Sequence, residues 1–271
     1  MFSGCDDLRT ENRWLPIPLW NNASGFSFSM ANEQEKQAAA HASLQFVRDG
    51  DIVGLGSGST ASIAVRLLGE RVRGGLKIRG VPTSVETQRL AMEVGIPLLT
   101  LDDVQQMDVT IDGADEVDPQ LELIKGGGGA MLREKIIASA SRRMIVVADS
   151  SKQVPVLGKF PLPVEVIRFA QAVVAARISA LGASVSIRKR ASGQPYVTDE
   201  GHHILDCRFG QIADPERLAH ELDSMPGVVE HGLFIGLATV ALIARGGEIL
   251  ELRRQGTSSQ SPLQPNRSPE I

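Results

Sequence analysis

The stretch DIVGLGSGSTASIAVRLL, residues 51–68, decides the fold class. It begins with a short, mainly apolar run at Asp51–Leu55 that is typical of a buried strand. From Thr60 to Val72, apolar side chains recur on one face of a helix. A glycine-rich turn, Gly54–Thr60, joins the two. Such strand–turn–helix units are the building blocks of α/β proteins, so the stretch predicts that class.

The same alternation continues on both sides of this unit. Because the strands are uniformly apolar, they predict a mostly parallel, Rossmann-like sheet with helices covering both faces. One later apolar strand, Ala238–Ala244, is expected to return to this sheet. The other predicted strands are Leu76–Val81, Pro97–Leu101, Met107–Ile111 and Met144–Ala148, and the predicted helices are Asn32–Arg48, Val85–Val94 and Ala130–Ser141.

The rhythm changes after the segment Pro161–Pro163. Four strands and two helices follow in the order βαββαβ, which predicts a small ferredoxin-like α+β domain. The second helix has a clear start, because Asp214 suits the N-cap and Pro215 the first helical position. These elements are the strands Val164–Ile167, Ser184–Ile187, Tyr196–Asp206 (broken by a turn at Asp199–Gly201) and Val228–His231, and the helices Phe169–Leu181 and Asp214–Asp223.

Two tails flank the periodic part of the chain. Residues 1–30 show no clear period, and Met30 directly precedes a helical pattern, so we expect the functional chain to begin there. The residues from 256 onward are rich in Ser, Gln, Pro and Asn and cannot bury enough apolar surface to become ordered. The predicted organisation is a poorly ordered extension at 1–30, an α/β catalytic domain at 31–160 and 233–255, a small α+β domain at 161–232, and a disordered tail at 256–271.

Composition disfavours several classes of partner. A net charge of −4 argues against nucleic acid, and we interpret the short basic cluster Arg188–Arg190 as a solvated loop. No apolar run reaches the ~18 residues of a membrane span. Cys5, Cys207 and the five histidines show no metal-ligand spacing. We therefore predict a cytoplasmic protein that uses no metal or cofactor and has no nucleic-acid or membrane partner.

The glycine-rich turn GLGSGST is a candidate phosphate site. It opens a helix, where backbone N–H groups and the helix dipole favour an anion. Ser57, Ser59 and Thr60 add hydroxyl donors. No lysine follows as in a P-loop, and Ser59 replaces the third glycine of the dinucleotide fingerprint. Taken alone, the motif is equally compatible with a tight turn that binds nothing.

A second functional stretch is IDGADEVDPQLELIKGGGGAMLREK, residues 111–135. Its first acids, Asp112 and Asp115, follow a predicted strand, which is where open α/β sheets place their sites. The Gly126–Gly129 loop offers unobstructed amides for an oxyanion, and Lys125 adds a positive charge. Glu134 lies on the next helix. A structural Asp-Gly turn, a flexible linker and a solvated glutamate are the alternative interpretations.

Several motifs together resemble the type A ribose-5-phosphate isomerases. They are GLGSGSTA, DGADEVD, KGGGGAMLREKIIA, ADSSKQV, LGKFPLPVEV and PGVVEHGLF, and the similarity extends from about Glu33 to Leu252. The resemblance implies that the chain interconverts ribose 5-phosphate and ribulose 5-phosphate without a metal. It also implies an α/β main domain with a smaller second domain, in a homodimer.

The resemblance also assigns roles within these motifs. Glu134 would move a proton between C1 and C2 through an enediolate, and Asp112 would assist ring opening and hydroxyl proton transfer. Asp115 and Lys125 would orient the sugar. Lys36, in the first helix, would reach the phosphate. The implied substrate contacts also include Ser57, Gly58, Ser59, Thr60, Gly113, Ala114, Gly126, Gly127, Gly128 and Lys152.

Two other classes of function remain as alternatives. A non-catalytic sugar-phosphate sensor would usually carry a helix-turn-helix ahead of this domain, for which residues 1–30 are too short and proline-interrupted. An enzyme of related fold, such as an amino-sugar phosphate deaminase or a CoA-transferase, is the other. A covalent thioester on Glu134 would identify the CoA-transferase.

Overall fold

The computed structural model describes residues 11–16 and 28–254. The predictions for residues 1–10, 17–27 and the tail from 255 onward lie outside the described residues. The helices are α1 (Phe28–Ser43), α2 (Ser59–Arg73), α3 (Val85–Glu93), α4 (Met131–Ser139), α5 (Gln171–Ala180) and α6 (Pro215–Asp223). The strands are β1 (Glu11–Pro16), β2 (Ile52–Leu55), β3 (Arg79–Pro82), β4 (Val109–Gly113), β5 (Glu116–Val117), β6 (Leu123–Ile124), β7 (Met144–Asp149), β8 (Leu162–Val166), β9 (Ser184–Ile187), β10 (His203–Arg208), β11 (Val228–His231), β12 (Leu233–Phe234), β13 (Val240–Arg245) and β14 (Glu248–Arg253).

The main sheet has the strand order β1-β14-β13-β7-β4-β2-β3. Its five strands from β13 to β3 are parallel, and β14 and β1 add antiparallel pairs at one edge. Helices α1, α2 and α3 pack on one face, and α4 packs on the other. Every residue of β7 is buried, as expected of a parallel strand covered on both faces. The predicted mostly parallel α/β sheet is confirmed.

A second sheet has the order β11-β8-β10-β9 and is antiparallel. Counted within its own βαββαβ segment, this order is 4-1-3-2, the ferredoxin-like arrangement that the sequence predicts. Helices α5 and α6 contribute Val174, Ile178, Leu218 and Leu222 to the apolar core of this sheet. The sheet lies between residues 162 and 231, and β13 and β14 then rejoin the main sheet.

A third, small sheet with the order β12-β6-β5 was not predicted. Its strands have two residues each, which is too short for a periodic pattern in the sequence. The sheet has a positional role, because β6 ends directly before Lys125 and β12 directly follows the second sheet. It therefore connects the two larger sheets beside the glycine loop.

Two predicted strands differ in the structure. The prediction of a strand at Pro97–Leu101 is wrong, since only an isolated bridge joins Leu98 to Gly80. Pro97 has no N–H to donate to a ladder, and a turn follows at once. In the segment Tyr196–Asp206 the predicted turn at Asp199–Gly201 is present, with Gly201 donating to the Thr198 carbonyl, but only the part after the turn forms a named strand, β10.

Part of the N-terminal extension forms a strand. β1 pairs antiparallel with β14, from Glu11 opposite Arg253 to Pro16 opposite Glu248. Without this partner, β14 would be an edge strand with unpaired N–H and C=O groups, which a short extended segment can satisfy. None of the described helices is long and apolar enough to cross a membrane.

Candidate active site

Three buried ionisable side chains meet at the carboxyl end of β4. The Lys125 Nζ lies 3.0 Å from Asp112 Oδ2 and 3.3 Å from Glu134 Oε2. Relative exposure is 0% for Asp112, 2% for Lys125 and 5% for Glu134. Charges buried this deeply require partners, and the three groups supply them to one another. The sequence predicted this trio, and the structure brings it together.

Local structure explains why these residues converge. Asp112 lies at the end of β4, Lys125 follows β6, and Glu134 lies in the first turn of α4. The Lys125 ammonium donates to the Gly113 carbonyl at 2.6 Å, and its backbone N–H donates to the Gly232 carbonyl at 2.8 Å. The same ammonium lies 5.3 Å from the centre of the Phe234 ring, within cation–π range. Lys125 is therefore held from several directions.

The trio contains two carboxyl groups and one ammonium. Burial raises the pKa of Glu134 to about 8, although the Lys125 ammonium opposes the rise. Burial likewise raises the pKa of Asp112 against the effect of Lys125. Burial would lower the pKa of Lys125, but Asp112 and Glu134 outweigh it and the pKa is raised. The lysine thus stays charged, and the two carboxyl groups beside it titrate as a coupled pair.

The second oxygens of the two acids remain available for chemistry. Apart from the Lys125 ammonium, no described group lies in position to donate to Asp112 Oδ2 or Glu134 Oε2. Asp112 Oδ1, in contrast, accepts from the N–H groups of Ser57 at 3.0 Å and Gly113 at 2.7 Å. One oxygen of Asp112 therefore holds its position, and the other faces the trio.

The GLGSGST turn packs against Asp112. A side chain at Gly56 would lie 2.4 Å from Asp112 Oδ1 and 2.5 Å from its Cα, so only glycine fits there. Gly58, with a φ of +86°, precedes α2, whose first residues are the exposed Ser59 and the buried Thr60. The first-turn amides of a helix lack intrahelical partners, which suits an anion.

The Ser57 hydroxyl is already bonded within the protein. It contacts Thr83 Oγ1 at 2.7 Å, Ser84 Oγ at 3.0 Å and Thr87 Oγ1 at 3.3 Å. The sequence reasoning missed these three partners. Their position in the sequence could have indicated them, because Thr83 and Ser84 directly follow β3 and so lie at the same edge of the sheet as the other candidate residues.

Two lysines lie on elements near the carboxyl end of β7. Lys152 ends a short turn after β7 and is half-buried. Glu35 of α1 accepts from the backbone N–H of Ser150 at 2.9 Å and from its hydroxyl at 2.7 Å, which fixes α1 against this turn. Lys36 is the next residue of α1 and lies 3.7 Å from Glu33. The structure therefore places both lysines on elements that contact each other.

The glycine loop follows Lys125 and has exposed residues at Gly127 and Gly128. The Gly127 amide donates to Asp115 Oδ2 at 2.7 Å, so in this conformation its hydrogen is engaged within the protein rather than free for a substrate oxyanion. Ala114, between the two aspartates, is half-buried and packs on the apolar core near α4. Asp115 thus contacts the loop rather than the trio.

Two residues of the second sheet's segment bind the carbonyls of this loop. Arg188 donates to the Gly126 and Gly127 carbonyls at 2.6 and 3.0 Å, and Tyr196 donates to the Gly128 carbonyl at 3.1 Å. The interpretation of Arg188–Arg190 as a solvated loop is wrong for Arg188, whose side chain is 13% exposed. Contacts between residues about 60 positions apart leave no local pattern in the sequence.

A separate polar cluster lies behind α4. Lys135 Nζ donates to Glu230 Oε1 at 2.5 Å and to the His231 carbonyl at 2.8 Å. His231 Nδ1 accepts from the Leu233 amide, and its Nε2 lies 3.1 Å from Asp223 Oδ1. Oxygen and nitrogen atoms of Asp223, Glu230 and His231 are close enough to hold a metal ion, but the Lys135 ammonium already supplies the positive charge there. Burial lowers the pKa of His231 to about 4, and Lys135 adds to the effect.

Comparison with known proteins gives a consistent result. The family model for ribose 5-phosphate isomerase A (phosphoriboisomerase A) matches residues 79–248. The ribose-5-phosphate isomerase A of Bradyrhizobium diazoefficiens is 52% identical over 236 residues, which cover 83% of this chain and 98% of that protein.

Solved structures agree with the sequence relatives. The ribose 5-phosphate isomerase A of Methanocaldococcus jannaschii superposes with a TM-score of 0.79 at 41% identity, covering 82% of this chain and 99% of that one. A D-ribose-5-phosphate isomerase in complex with phospho-erythronic acid gives a TM-score of 0.80 at 40% identity, covering 82% and 99%. With its sheet order, its buried trio and these relatives, the chain belongs to the ribose 5-phosphate isomerase A family.

Proposed function

We propose that the buried trio carries out the family reaction, the interconversion of ribose 5-phosphate and ribulose 5-phosphate, with Glu134 as the base. The observation that carries this assignment is the contact of one ammonium, Lys125, with two buried carboxyl groups, Asp112 and Glu134. An aldose–ketose isomerase must move one proton between adjacent carbons and a second proton between adjacent oxygens. Two carboxyl groups beside a fixed cation are suited to these two transfers.

The proposed steps balance as follows in the direction of the ketose. The Glu134 carboxylate removes the C2 proton of the open-chain aldose, and the C2 electron pair forms the double bond of an enediolate. The protonated Glu134 then returns that proton to C1. Asp112 moves the hydroxyl proton from O2 to O1, so that O2 becomes the ketone oxygen. The Lys125 ammonium lowers the energy of the charged intermediate, and for this reason we propose a metal-independent reaction.

The pKa of Glu134 suits a base that must also act as an acid. A glutamate carboxyl group with the ordinary pKa of 4.5 is a weak base, whereas one with a pKa near the working pH can both take up and release the proton. Burial raises the pKa of Glu134 to about 8. The same burial that costs folding free energy therefore gives Glu134 its basicity.

We propose that the substrate phosphate binds at the other end of the site. The open first-turn amides of α2, at Ser59 and Thr60, face an edge of the sheet that also carries Lys152 and, on α1, Lys36. A phosphate held there would lie next to the turn that contacts Asp112 through Ser57. This arrangement extends the sugar from the phosphate site toward the trio.

Isomerisation in D₂O tests the reaction directly. Purified protein with ribose 5-phosphate and EDTA should give ribulose 5-phosphate that carries deuterium at C1, because the proton on Glu134 exchanges with solvent. Substrate binding without conversion would favour the sensor, and a covalent thioester on Glu134 would favour the CoA-transferase.

Glu134→Gln should lose about 10²–10⁴-fold in kcat and still bind substrate, since general base catalysis contributes that much. A near-normal kcat in this variant would overturn the assignment of the base.

The assembly and the compartment are proposals of the same kind. We propose a homodimer in the cytoplasm, where a charged sugar phosphate is available to the enzyme. Apolar surface on α5 and the turn before it supports self-association, because Phe169 is 98% exposed and Val173 is 55% exposed. Light scattering should give twice the chain mass of 29.1 kDa, and a monomer at micromolar concentration would contradict the proposal.

A further inference from the structure

Three successive carbonyl groups of the glycine loop accept hydrogen bonds from one neighbouring segment. Arg188 Nη1 binds the Gly126 and Gly127 carbonyls, and the Tyr196 hydroxyl binds the Gly128 carbonyl. Arg188 directly follows β9, and Tyr196 lies in the connection between β9 and β10. Three consecutive peptide groups are thereby fixed from outside the α/β sheet that carries the trio.

Fixing a carbonyl also fixes the amide in the same peptide group. In a trans peptide, the C=O and the N–H point in opposite directions, and the described part of the chain contains no cis peptide. The Gly127 amide points to Asp115 Oδ2 at 2.7 Å, and the Gly129 amide points to the Gly126 carbonyl at 3.0 Å. The Gly128 amide, in the peptide group whose carbonyl binds Arg188, has no acceptor among the described residues.

We propose that Arg188 is a positioning residue that aims the Gly128 amide at the substrate oxygen on which negative charge develops. This inference rests on the proposed function, in which an enediolate forms beside Lys125. Gly128 is exposed and a side chain there would contact nothing within 4 Å, so a ligand can approach its amide. The guanidinium also polarises the peptide group, which makes the Gly128 N–H a stronger donor.

The geometry requires an arginine. One edge of the guanidinium binds Asp206, with Nε at 3.2 and 3.1 Å from the two carboxylate oxygens. Its Nη1 binds both loop carbonyls. Asp206 lies on β10, so this pair fixes the head group to the second sheet. A lysine has a single point of charge and cannot bond the carboxylate and both carbonyls in this fixed arrangement.

Steady-state kinetics of Arg188→Lys test the inference. We expect kcat to fall about 10- to 100-fold, because loss of one oxyanion donor typically costs about 10²–10³-fold and misalignment costs part of that. KM for ribose 5-phosphate should change by less than about threefold, since Arg188 is not part of the phosphate site, and the pH profile should keep its shape. Lys189→Met is the matched control, because it changes the charge of the exposed neighbouring residue and should retain kcat within about twofold.

Inhibition by phospho-erythronate separates this role from a structural one. Its carboxylate carries negative charge where the enediolate would, so its Ki should rise in Arg188→Lys about as much as kcat/KM falls. The Ki of inorganic phosphate should not change. Tyr196→Phe, which loses one weaker contact to the loop, should show the same pattern at a few-fold magnitude.

The outcomes distinguish the two proposals. Normal kcat in Arg188→Lys, or a low kcat with unchanged inhibition by phospho-erythronate, would overturn the positioning role while the isomerase remains. Absence of isomerisation by the wild-type protein would instead overturn the proposed function. If Arg188→Lys folds poorly, as shown by a lower Tm, Tyr196→Phe decides the question through the same two inhibitors.

Discussion

At the residue scale, the site depends on how one ammonium is shared by two buried acids. The sequence contains Asp112, Lys125 and Glu134 in plain view, and their residue types predict proton transfer next to a cation. Burial raises the pKa of both acids, and no local pattern reports burial for Glu134, which is followed by another charged residue, Lys135. The raised pKa of Glu134 is therefore a property of the folded site that only the packing around it reveals.

The pH dependence of kcat/KM should report Glu134. Burial raises the pKa of this group to about 8, and the base that we propose must be ionised to remove the C2 proton. We therefore expect kcat/KM to rise about tenfold per pH unit between pH 6.5 and 7.5 and to level off above pH 8, as a single ionisation requires. Initial rates between pH 6.5 and 9 check this. A flat profile across that window would contradict a base with a raised pKa.

Glu134→Gln should also make the protein more stable at alkaline pH. The pKa is about 8 in the folded protein and 4.5 as the ordinary value, so the folded state binds the proton more tightly. This group therefore lowers the free energy of unfolding progressively from pH 4.5 to 8, and the glutamine lacks that effect. The stability gain of the variant should grow between pH 5 and 8 to a few kcal/mol and then stay constant.

Urea unfolding at several pH values measures this difference. Glu93→Gln, a glutamate on α3 with a 69% exposed side chain, is the matched control and should show no pH-dependent gain. A gain for Glu134→Gln that stays the same from pH 5 to 9 would show that its carboxyl has no raised pKa in the folded protein.

At the scale of the elements, the sequence predicts most of the parallel sheet and all of the ferredoxin-like order. Long apolar strands and amphipathic helices produce a recognisable hydrophobic pattern in the sequence, as β7 and the segment around α2 show. The two-residue strands β5, β6 and β12 leave none, and their existence depends on contacts between distant parts of the chain. The sequence does not predict the hydrogen bond from Arg188 to the glycine loop for the same reason.

Gly56→Ala tests how closely the ends of β2 and β4 must approach. A Cβ at this position would lie 2.5 Å from the Asp112 Cα, and the Gly56 amide is fixed to the Ile111 carbonyl at 2.9 Å, so neither backbone can yield locally. We expect a loss of about 1–3 kcal/mol in stability from overpacking. We also expect kcat to fall by about 10- to 100-fold, because displacement of a catalytic group by about 1 Å has that effect.

Gly74→Ala is the control for this variant. Gly74 follows α2 with a φ of −80°, and an added Cβ would come no closer than 3.3 Å to the Arg71 carbonyl oxygen. We expect kcat within about twofold of wild type in this variant. If Gly56→Ala retained both the wild-type kcat and the wild-type Tm, the close approach of the two strands would have no catalytic role.

At the scale of the whole molecule, the main sheet and the second sheet must keep a fixed position relative to each other around the site. The order of the elements predicts both sheets but not their contact, because the residues that join them are far apart in sequence. Gly232 packs against the Lys125 carbonyl so closely that an added Cβ would lie 2.3 Å from it. Behind α4, Lys135 binds Glu230 and the His231 carbonyl, which belong to β11 of the second sheet. The sequence motif PGVVEHGLF is therefore structural as well as typical of the family.

Lys135→Met should weaken this connection and, with it, the position of α4. The methionine keeps an apolar stem, but the carboxylate of Glu230, 17% exposed, and the His231 carbonyl lose their common donor. A buried polar group left without its partner costs about 1–3 kcal/mol, so the free energy of unfolding should fall by that amount. Because Glu134 is the preceding residue of α4, kcat should fall several-fold as well. Urea unfolding and kinetics of Lys135→Met beside Lys77→Met, an exposed lysine remote from the connection, measure both effects. Equal stability of the two variants would mean that the glycine loop and the small sheet, rather than Lys135, hold the second sheet against α4.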